Sequence, residues 1–291
     1  MRLSEAELKE RIEKLYRILQ NCNLCPRSCG VNRSVSKNGA CKTNARPLVS
    51  SFGPHFGEES FLVGLGGSGT IFFTNCNLNC VFCQNWEISQ MGVGEEIDVE
   101  DLSKIMLRLQ RMGCHNINLV SPTHQVPMIV EALSKAWKEG LKIPIVYNCG
   151  GYESVETLRL LDGIVDIYMP DFKYGDDEKA FKYSRVSNYT SVARSALEEM
   201  YRQVGPLRIE NGIAVRGVFV RHLVMPNDVS SSERVLELIA SVSTDIPVNI
   251  MAQYYPAYRA REYPELGRRI AREELVKVVN KARSLGLKIV S

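Results

Sequence analysis

Three cysteines, Cys76, Cys80 and Cys83, fall within eight positions in the run Asn75-Cys76-Asn77-Leu78-Asn79-Cys80-Val81-Phe82-Cys83-Gln84. Their spacing is C-x3-C-x2-C. The preceding Thr70-Ile71-Phe72-Phe73 reads as a buried strand, so the cysteines occupy a loop leaving its end. Three thiolates on one short loop can converge on one metal centre without ligands from distant chain. They fill three positions and leave a fourth free. Iron–sulfur clusters usually take four cysteines, and an open position marks a metal site that binds substrate or cofactor. A zinc knuckle or three unligated thiols are the plainer readings of the same spacing.

A second set, Cys22, Cys25, Cys29 and Cys41, is spaced C-x2-C-x3-C-x11-C, with Gly30 and Gly39 nearby. Four thiolates with a C-x2-C knuckle can close a tetrahedral shell around zinc or hold an iron–sulfur cluster. With every position filled, such a centre is structural or electron-carrying; unligated cysteines are the alternative. Seven of the nine cysteines lie in these two sets. Clustered cysteines in an enzyme-like chain point to metal in a reducing cytoplasm rather than to disulfides. An open-iron cluster is oxygen-sensitive, which suits an anaerobic setting. Cys114 and Cys149 read as buried apolar residues, Cys149 lying near the rim described below.

The elements that must position these loops are legible as periodicities. The chain has 291 residues, 45% of them hydrophobic, and a net charge of +3. That is enough for one large core and too little charge to argue for nucleic acid or an acidic membrane. No stretch approaches the roughly 18 apolar residues of a membrane helix, and the charged start Met1–Glu5 lacks the apolar run of a secretory signal. Leu8, Ile12, Leu15 and Leu19 predict a helix over 5–20. Strands are expected at 70–74, 116–121, 143–147, 165–170, 214–224 and 247–252. Amphipathic helices fall between them, one capped by Asp98 and one opened by a Ser230-x-x-Glu233 capping box. Helical stripes alternating with short apolar runs argue for βαβ units and a parallel sheet, and about six such units fit the length. Gly64, Gly66 and Gly69 spell G-x-G-x-x-G. A strand rather than a helix follows them, so they read as a hairpin and not as a nucleotide fingerprint.

In parallel α/β folds ligands bind at the carboxyl ends of strands. Five of the expected strands end in polar residues: Ser121 and Thr123, Asn148, Asp171 and Lys173, Arg221 with Asn227 and Asp228, and Gln253. Together with the cysteine loop they predict a polar cleft of cofactor size. Arg221 sits inside an apolar run, where its charge needs an anion, expected to be a ligand. His222 points the other way along the strand and reads as packed. Asp171 and Lys173 could instead form a solvated ion pair, and His124 could reach the cleft or cap a helix.

The cysteine loop resembles the signature of the radical S-adenosylmethionine (SAM) superfamily, C-x3-C-x-aromatic-C, with Phe82 in the aromatic place. The resemblance implies a 4Fe-4S cluster on Cys76, Cys80 and Cys83. SAM would chelate its open iron and be cleaved reductively to a 5′-deoxyadenosyl radical. It also implies the fold: an α/β, partial (β/α)6 TIM-like barrel over residues 61–291, here with a small Cys-rich N-terminal metal-binding extension over residues 1–60. SAM would meet Arg221 through its carboxylate, Ser121, Thr123, Asn148 and Asp171 through its ammonium and ribose, and Phe82 through its adenine. Asp171-x-Lys173, Arg221 and Pro226-Asn227-Asp228 are similar to the pyruvate formate-lyase activating enzyme group, and the whole chain resembles the branch of it labelled PflX. That group has G-G-E after strand two, where this chain reads Ser121-Pro122-Thr123. The resemblance implies an oxidoreductase that draws an electron from a flavodoxin or ferredoxin and takes hydrogen from a glycine of a partner glycyl-radical enzyme. A small molecule, a peptide or RNA as substrate is the alternative. A non-catalytic iron–sulfur or zinc protein for electron transfer or partner binding is the reading from another class.

Overall fold

The computed structural model describes residues 3–290; Met1, Arg2 and Ser291, and with them the first two residues of the charged start, lie outside it. The chain opens with α1 (Glu5–Ile18), whose capping box joins Ser4 and Glu7. After the cysteine-rich segment come β1 (Leu48–His55), α2 (Ser60–Val63) and β2 (Ser68–Phe73), then α3 (Trp86–Ser89), β3 (Glu95–Glu96) and α4 (Val99–Arg111). Alternation follows: β4 (Ile117–Val120), α5 (Val126–Lys138), β5 (Ile145–Cys149), α6 (Val155–Leu160), β6 (Ile167–Pro170), α7 (Asp177–Ser184) and α8 (Tyr189–Val204). The last part holds β7 (Arg208–Glu210), β8 (Ile213–Val218), β9 (Val220–Leu223), α9 (Ser232–Val242), β10 (Val248–Met251), α10 (Arg272–Ser284) and β11 (Ile289–Val290).

β2, β4, β5 and β6 pair in parallel in that order. A parallel bridge from Asp171 to Arg221 carries the order on to β9, which pairs in parallel with β10. These six strands are the expected partial barrel, and β1 adds to β2 antiparallel on its outer side. Two departures concern local chemistry. The expected strand 214–224 is broken at Phe219. Its first half pairs with β6 and with the added hairpin strand β7. Its second half turns to β10, while the Phe219 ring enters the barrel edge-on to Phe61, centroids 5.0 Å apart. The Ser230–Glu233 capping box does not form. The residue preceding α9 is Ser231, with φ 51° and no side-chain cap, and the Ser230 hydroxyl pairs with that of Ser232 instead.

In α4 the expected Leu102, Met106 and Leu109 are fully buried and Ile105 is half-buried; in α5 the expected Ile129, Ala132, Leu133 and Ala136 are buried, while in α10 Val278 and Ala282 are buried and Leu275 and Val279 only half-buried. Each buried leucine, isoleucine or methionine among these contributes roughly 1.5–3 kcal/mol. α1 lies against α5 and α6. Tyr16 donates to Glu131 at 2.6 Å and Arg11 donates to the Leu160 carbonyl at 3.1 Å, so the N-terminal segment shares the barrel's core. Inside the barrel Phe61 and Leu62 of α2 meet Val146, Ile167, Met169 and Phe219. The glycine run is a matter of packing here: a Cβ at Gly66 would fall 1.9 Å from the Gly113 carbonyl oxygen.

Candidate functional site

The loop after β2 is held from several sides. Asn75, in the left-handed region at φ 66°, turns the chain off the strand. Asn79 and Val81 donate backbone bonds to the Ser184 and Tyr183 carbonyls, and Arg259 donates to that of Val81. Cys76, Cys80 and Cys83 thereby line one cleft of about 1300 Å³, open mouth included. Polar groups already point at the sulfurs: the Leu78 amide at Cys76 (3.4 Å), the Ser184 hydroxyl at Cys80 (2.9 Å), and the Ser89 hydroxyl beside Cys83 (3.0 Å). Burial, together with the neighbouring thiols, pushes Cys76 up to about 12. Burial likewise pushes Cys80 up to about 11, against the pull of Lys173. At Cys76 and Cys80 burial thus favours the protonated thiol, so loading a metal centre there releases protons. Donors of this kind, on one loop around one open space, fit a cluster with a vertex to spare.

Ser121, Asn148, Asp171, Lys173 and Arg221 line the same cleft. Lys173 bonds Asp171 at 2.5 Å. Burial pulls the Lys173 pKa down, but Asp171 and Cys80 outweigh it and the net direction is up. The cleft therefore presents a fixed cation beside Cys80 and a carboxylate at the end of β6.

Two expected residues stand elsewhere, and a third meets a different anion. Thr123 is buried and donates to Glu153 at 2.7 Å, out of reach of the cleft. Phe82 is 5% exposed and packs between Tyr174 and Tyr254, so its ring offers no face to an adenine. Arg221 does line the cleft, but its anion is the protein's own. Its Nε donates to Glu59 at 2.8 Å and its Nη2 to both Glu59 and Glu58, while Asn249 donates to Glu59 at 2.7 Å. Burial pushes Glu59 upward, yet the Arg221 bonds dominate and leave it below its ordinary value. His222, on the opposite face of β9, donates to the Phe172 carbonyl at 2.7 Å and accepts from Ser232 at 2.8 Å. His124 lies buried in the turn that precedes α5, its Nε2 donating to the Thr74 carbonyl at 2.8 Å. Tyr254 is buried and donates to the Leu266 carbonyl at 2.8 Å.

Sequence reasoning missed several residues of this cleft: His55 at the end of β1 and Glu58 after it, Phe72, and Gln84, Ile88 and Gln90 beyond the cysteines. The G-G-E position had one available signal. A carboxylate was absent after β4, and Glu153 after β5 supplies one on the buried side, held by Thr123 and Tyr147.

The four N-terminal cysteines line a separate cavity with Leu24, Val31, Arg33, Asn77 and His124. All nine cysteines are unpaired. Among the described residues no three Cys, His, Asp or Glu side chains close on one point as ligands of a single ion would, and no helix is long and apolar enough to cross a membrane.

A sequence profile described as the Radical SAM superfamily matches residues 70–239, more than half of the chain. An uncharacterized protein of Methanocaldococcus jannaschii is 34% identical over 292 residues, covering 96% of this chain and 79% of its own length. The pyruvate formate-lyase-activating enzyme of Clostridium pasteurianum is 24% identical over 183 residues, 60% of this chain and 69% of that protein. Among solved structures, a radical SAM methyltransferase from Sphaerobacter thermophilus superposes with a TM-score of 0.53 at 15% identity, over 76% of this chain and 65% of its own. That likeness concerns the fold.

Proposed function

This chain belongs to the radical SAM superfamily, and from that premise we propose that Cys76, Cys80 and Cys83 hold its 4Fe-4S cluster. A cluster held there would supply the single electron for reductive cleavage of SAM and so the oxidising power to take hydrogen from a substrate. The observation that carries this reading is the shared cleft: three sulfurs from one loop, facing Asp171, Lys173, Asn148 and Ser121 at the ends of three strands. Lys173 offers an anion partner and Asp171 an ammonium partner, so a zwitterionic amino-acid end is held by groups already paired with each other. Phe72, Ile88 and Met251 supply the apolar walls in place of Phe82.

The substrate in this reading is a glycine Cα of a partner polypeptide that enters through the open mouth. The Asp171-x-Lys173 pair and the likeness to a pyruvate formate-lyase-activating enzyme support it. The N-terminal cysteines hold a second metal centre, a flavodoxin or ferredoxin supplies the electron, and the setting is the cytoplasm.

Reconstituted without oxygen and given SAM and dithionite, the protein is expected to form 5′-deoxyadenosine. Cys80→Ala is expected to form none while keeping metal at Cys22–Cys41. An intact cluster that leaves SAM whole would turn the reading toward an electron carrier. For the substrate, a peptide carrying dideuterated glycine is expected to pass one deuterium into 5′-deoxyadenosine; a modified peptide formed together with deuterium-free 5′-deoxyadenosine would exclude the glycyl reading.

A further inference from the structure

Arg27 lies between Cys25 and Cys29, yet its hydrogen bonds all go to the other cysteine loop and its support. Its Nε donates to the Asn77 carbonyl at 2.7 Å, its Nη1 to that of Arg185 at 2.6 Å and its Nη2 to that of Ser184 at 3.3 Å. Ser184 is the residue whose hydroxyl donates to Cys80. Asn77 follows Cys76 directly, takes a bond from its thiol at 3.7 Å and forms part of the wall of the four-cysteine cavity. One residue thus touches both sulfur sites.

The cavity has one feature that asks for an anionic occupant. Arg33 is 1% exposed and lines it, and its four hydrogen bonds all go to neutral oxygens: the Thr43 carbonyl and hydroxyl and the Asn44 and His124 carbonyls. A buried guanidinium is costly without an anion, and a metal held by four thiolates is one. His124, 2% exposed, lines the cavity too; its Nε2 donates to Thr74, which leaves Nδ1 an acceptor with no donor among the described residues. Zinc there would act as a staple only, whereas an iron–sulfur cluster set between the exposed Cys29 and the Asn77 that adjoins Cys76 is placed to pass an electron from one side to the other.

We propose that Cys22, Cys25, Cys29 and Cys41 carry a second 4Fe-4S cluster and that it relays electrons to the cluster on Cys76, Cys80 and Cys83. The relay rests on the SAM-cleavage reading; the cluster itself does not. Cys29 is exposed, while Cys22 and Cys41 are buried, so the centre has one vertex toward a donor and its interior toward Asn77. One electron enters from a reduced low-potential flavin or iron–sulfur protein, reduces the N-terminal cluster, and passes to the second cluster. There it breaks the bond between sulfur and C5′ of SAM, leaving methionine and the adenosyl radical. Both clusters end oxidised, the donor has lost one electron, and no proton moves. The Arg33 charge favours the reduced, more negative state of the relay.

The test uses full-length protein reconstituted with iron and sulfide, without oxygen. Cys76→Ala/Cys80→Ala/Cys83→Ala is expected to keep about four irons per chain, against about eight in the unaltered protein. Its reduced form is expected to show a paramagnetic signal that SAM does not change. Cys25→Ala/Cys29→Ala is expected to lower the ratio of the flavodoxin-supported to the dithionite-supported rate of SAM cleavage at least tenfold, because dithionite reaches the open cluster directly. Zinc, or no metal, in the triple variant overturns the cluster. An unchanged ratio overturns the relay. If the unaltered protein cleaves no SAM with either reductant while the triple variant keeps its signal, SAM cleavage and the relay fail together and the N-terminal cluster stands.

Discussion

A guanidinium inside a barrel needs an anion, and Arg221 finds Glu58 and Glu59, which are 7% and 1% exposed at their side chains. Breaking such a group from one side leaves carboxylates buried without a counter-charge. Arg221→Met is therefore expected to lower stability by about 3–5 kcal/mol. Adding Glu58→Gln and Glu59→Gln to it should restore part of the loss, read from urea midpoints. A cost below about 1 kcal/mol would mean that the arginine is free to serve a ligand. Strand alternation correctly set Arg221 and His222 on opposite faces. It could not supply the partner, which sits 162 residues away on the connection after β1. Thr123 and Phe82 misled for a related reason. Motif position places a residue beside the cleft, but whether its side chain turns toward the cleft depends on neighbours such as Glu153, Tyr174 and Tyr254 from other segments.

At the scale of elements, the six barrel strands were readable because each is a short apolar run between helical stripes. What was not readable were events decided by packing: the crossing of sheets at Phe219, the addition of β1, and the loss of the α9 capping box to the contacts among His222, Ser230 and Ser232. The end of β5 shows how one residue serves the whole rim. Gly151 has φ 76°, and a Cβ there would fall 2.3 Å from the Asp171 carbonyl oxygen; one at Gly150 would fall 2.5 Å from Leu78 in the cysteine loop. The Tyr189 hydroxyl ties the ends of β5 and β6, within 3.2 Å of the Gly150 carbonyl, 3.1 Å of that of Asp171 and 2.8 Å of the Lys173 amide. Gly151→Ala is expected to cost at least about 2 kcal/mol and to displace the Asp171–Lys173 turn. Gly140, with φ 96° and open space around it, provides the comparison: Gly140→Ala carries the backbone strain alone, about 1 kcal/mol. Equal losses in thermal unfolding would remove the argument for close approach.

For the whole molecule, three buried groups set how stability varies with pH. Burial pushes His124 from an ordinary value near 6.5 down to about 3, helped by Arg33 and opposed by the Thr74 carbonyl. Burial pushes His222 from the same value down to about 4, opposed by the Phe172 carbonyl, Asp171 and Asp228. Burial pushes Glu153 from near 4.5 up to about 7, opposed by Thr123, Tyr147 and Cys149. The histidines contribute stability above pH 6.5 that is lost as pH falls toward 4 and then 3. Glu153 contributes stability below pH 4.5 that is lost as pH rises through 7. Between 4.5 and 6.5 the unfolded chain holds two more protons on the histidines and one fewer on the glutamate. The net slope is about one proton, or about 1.4 kcal/mol per pH unit. Between 6.5 and 7 only Glu153 acts, and its sign is opposite. The maximum is therefore expected between pH 6.5 and 7. Glu153→Gln removes the opposing group. Its slope from pH 4.5 to 6.5 should double to about 2.7 kcal/mol per unit, and the decline above pH 6.5 should vanish. Urea unfolding of both proteins at pH 5, 6, 7 and 8 reads these slopes directly. A variant that keeps the unaltered profile would show that Glu153 is ionised in the folded chain at every pH tested, and that its hydrogen bonds outweigh its burial.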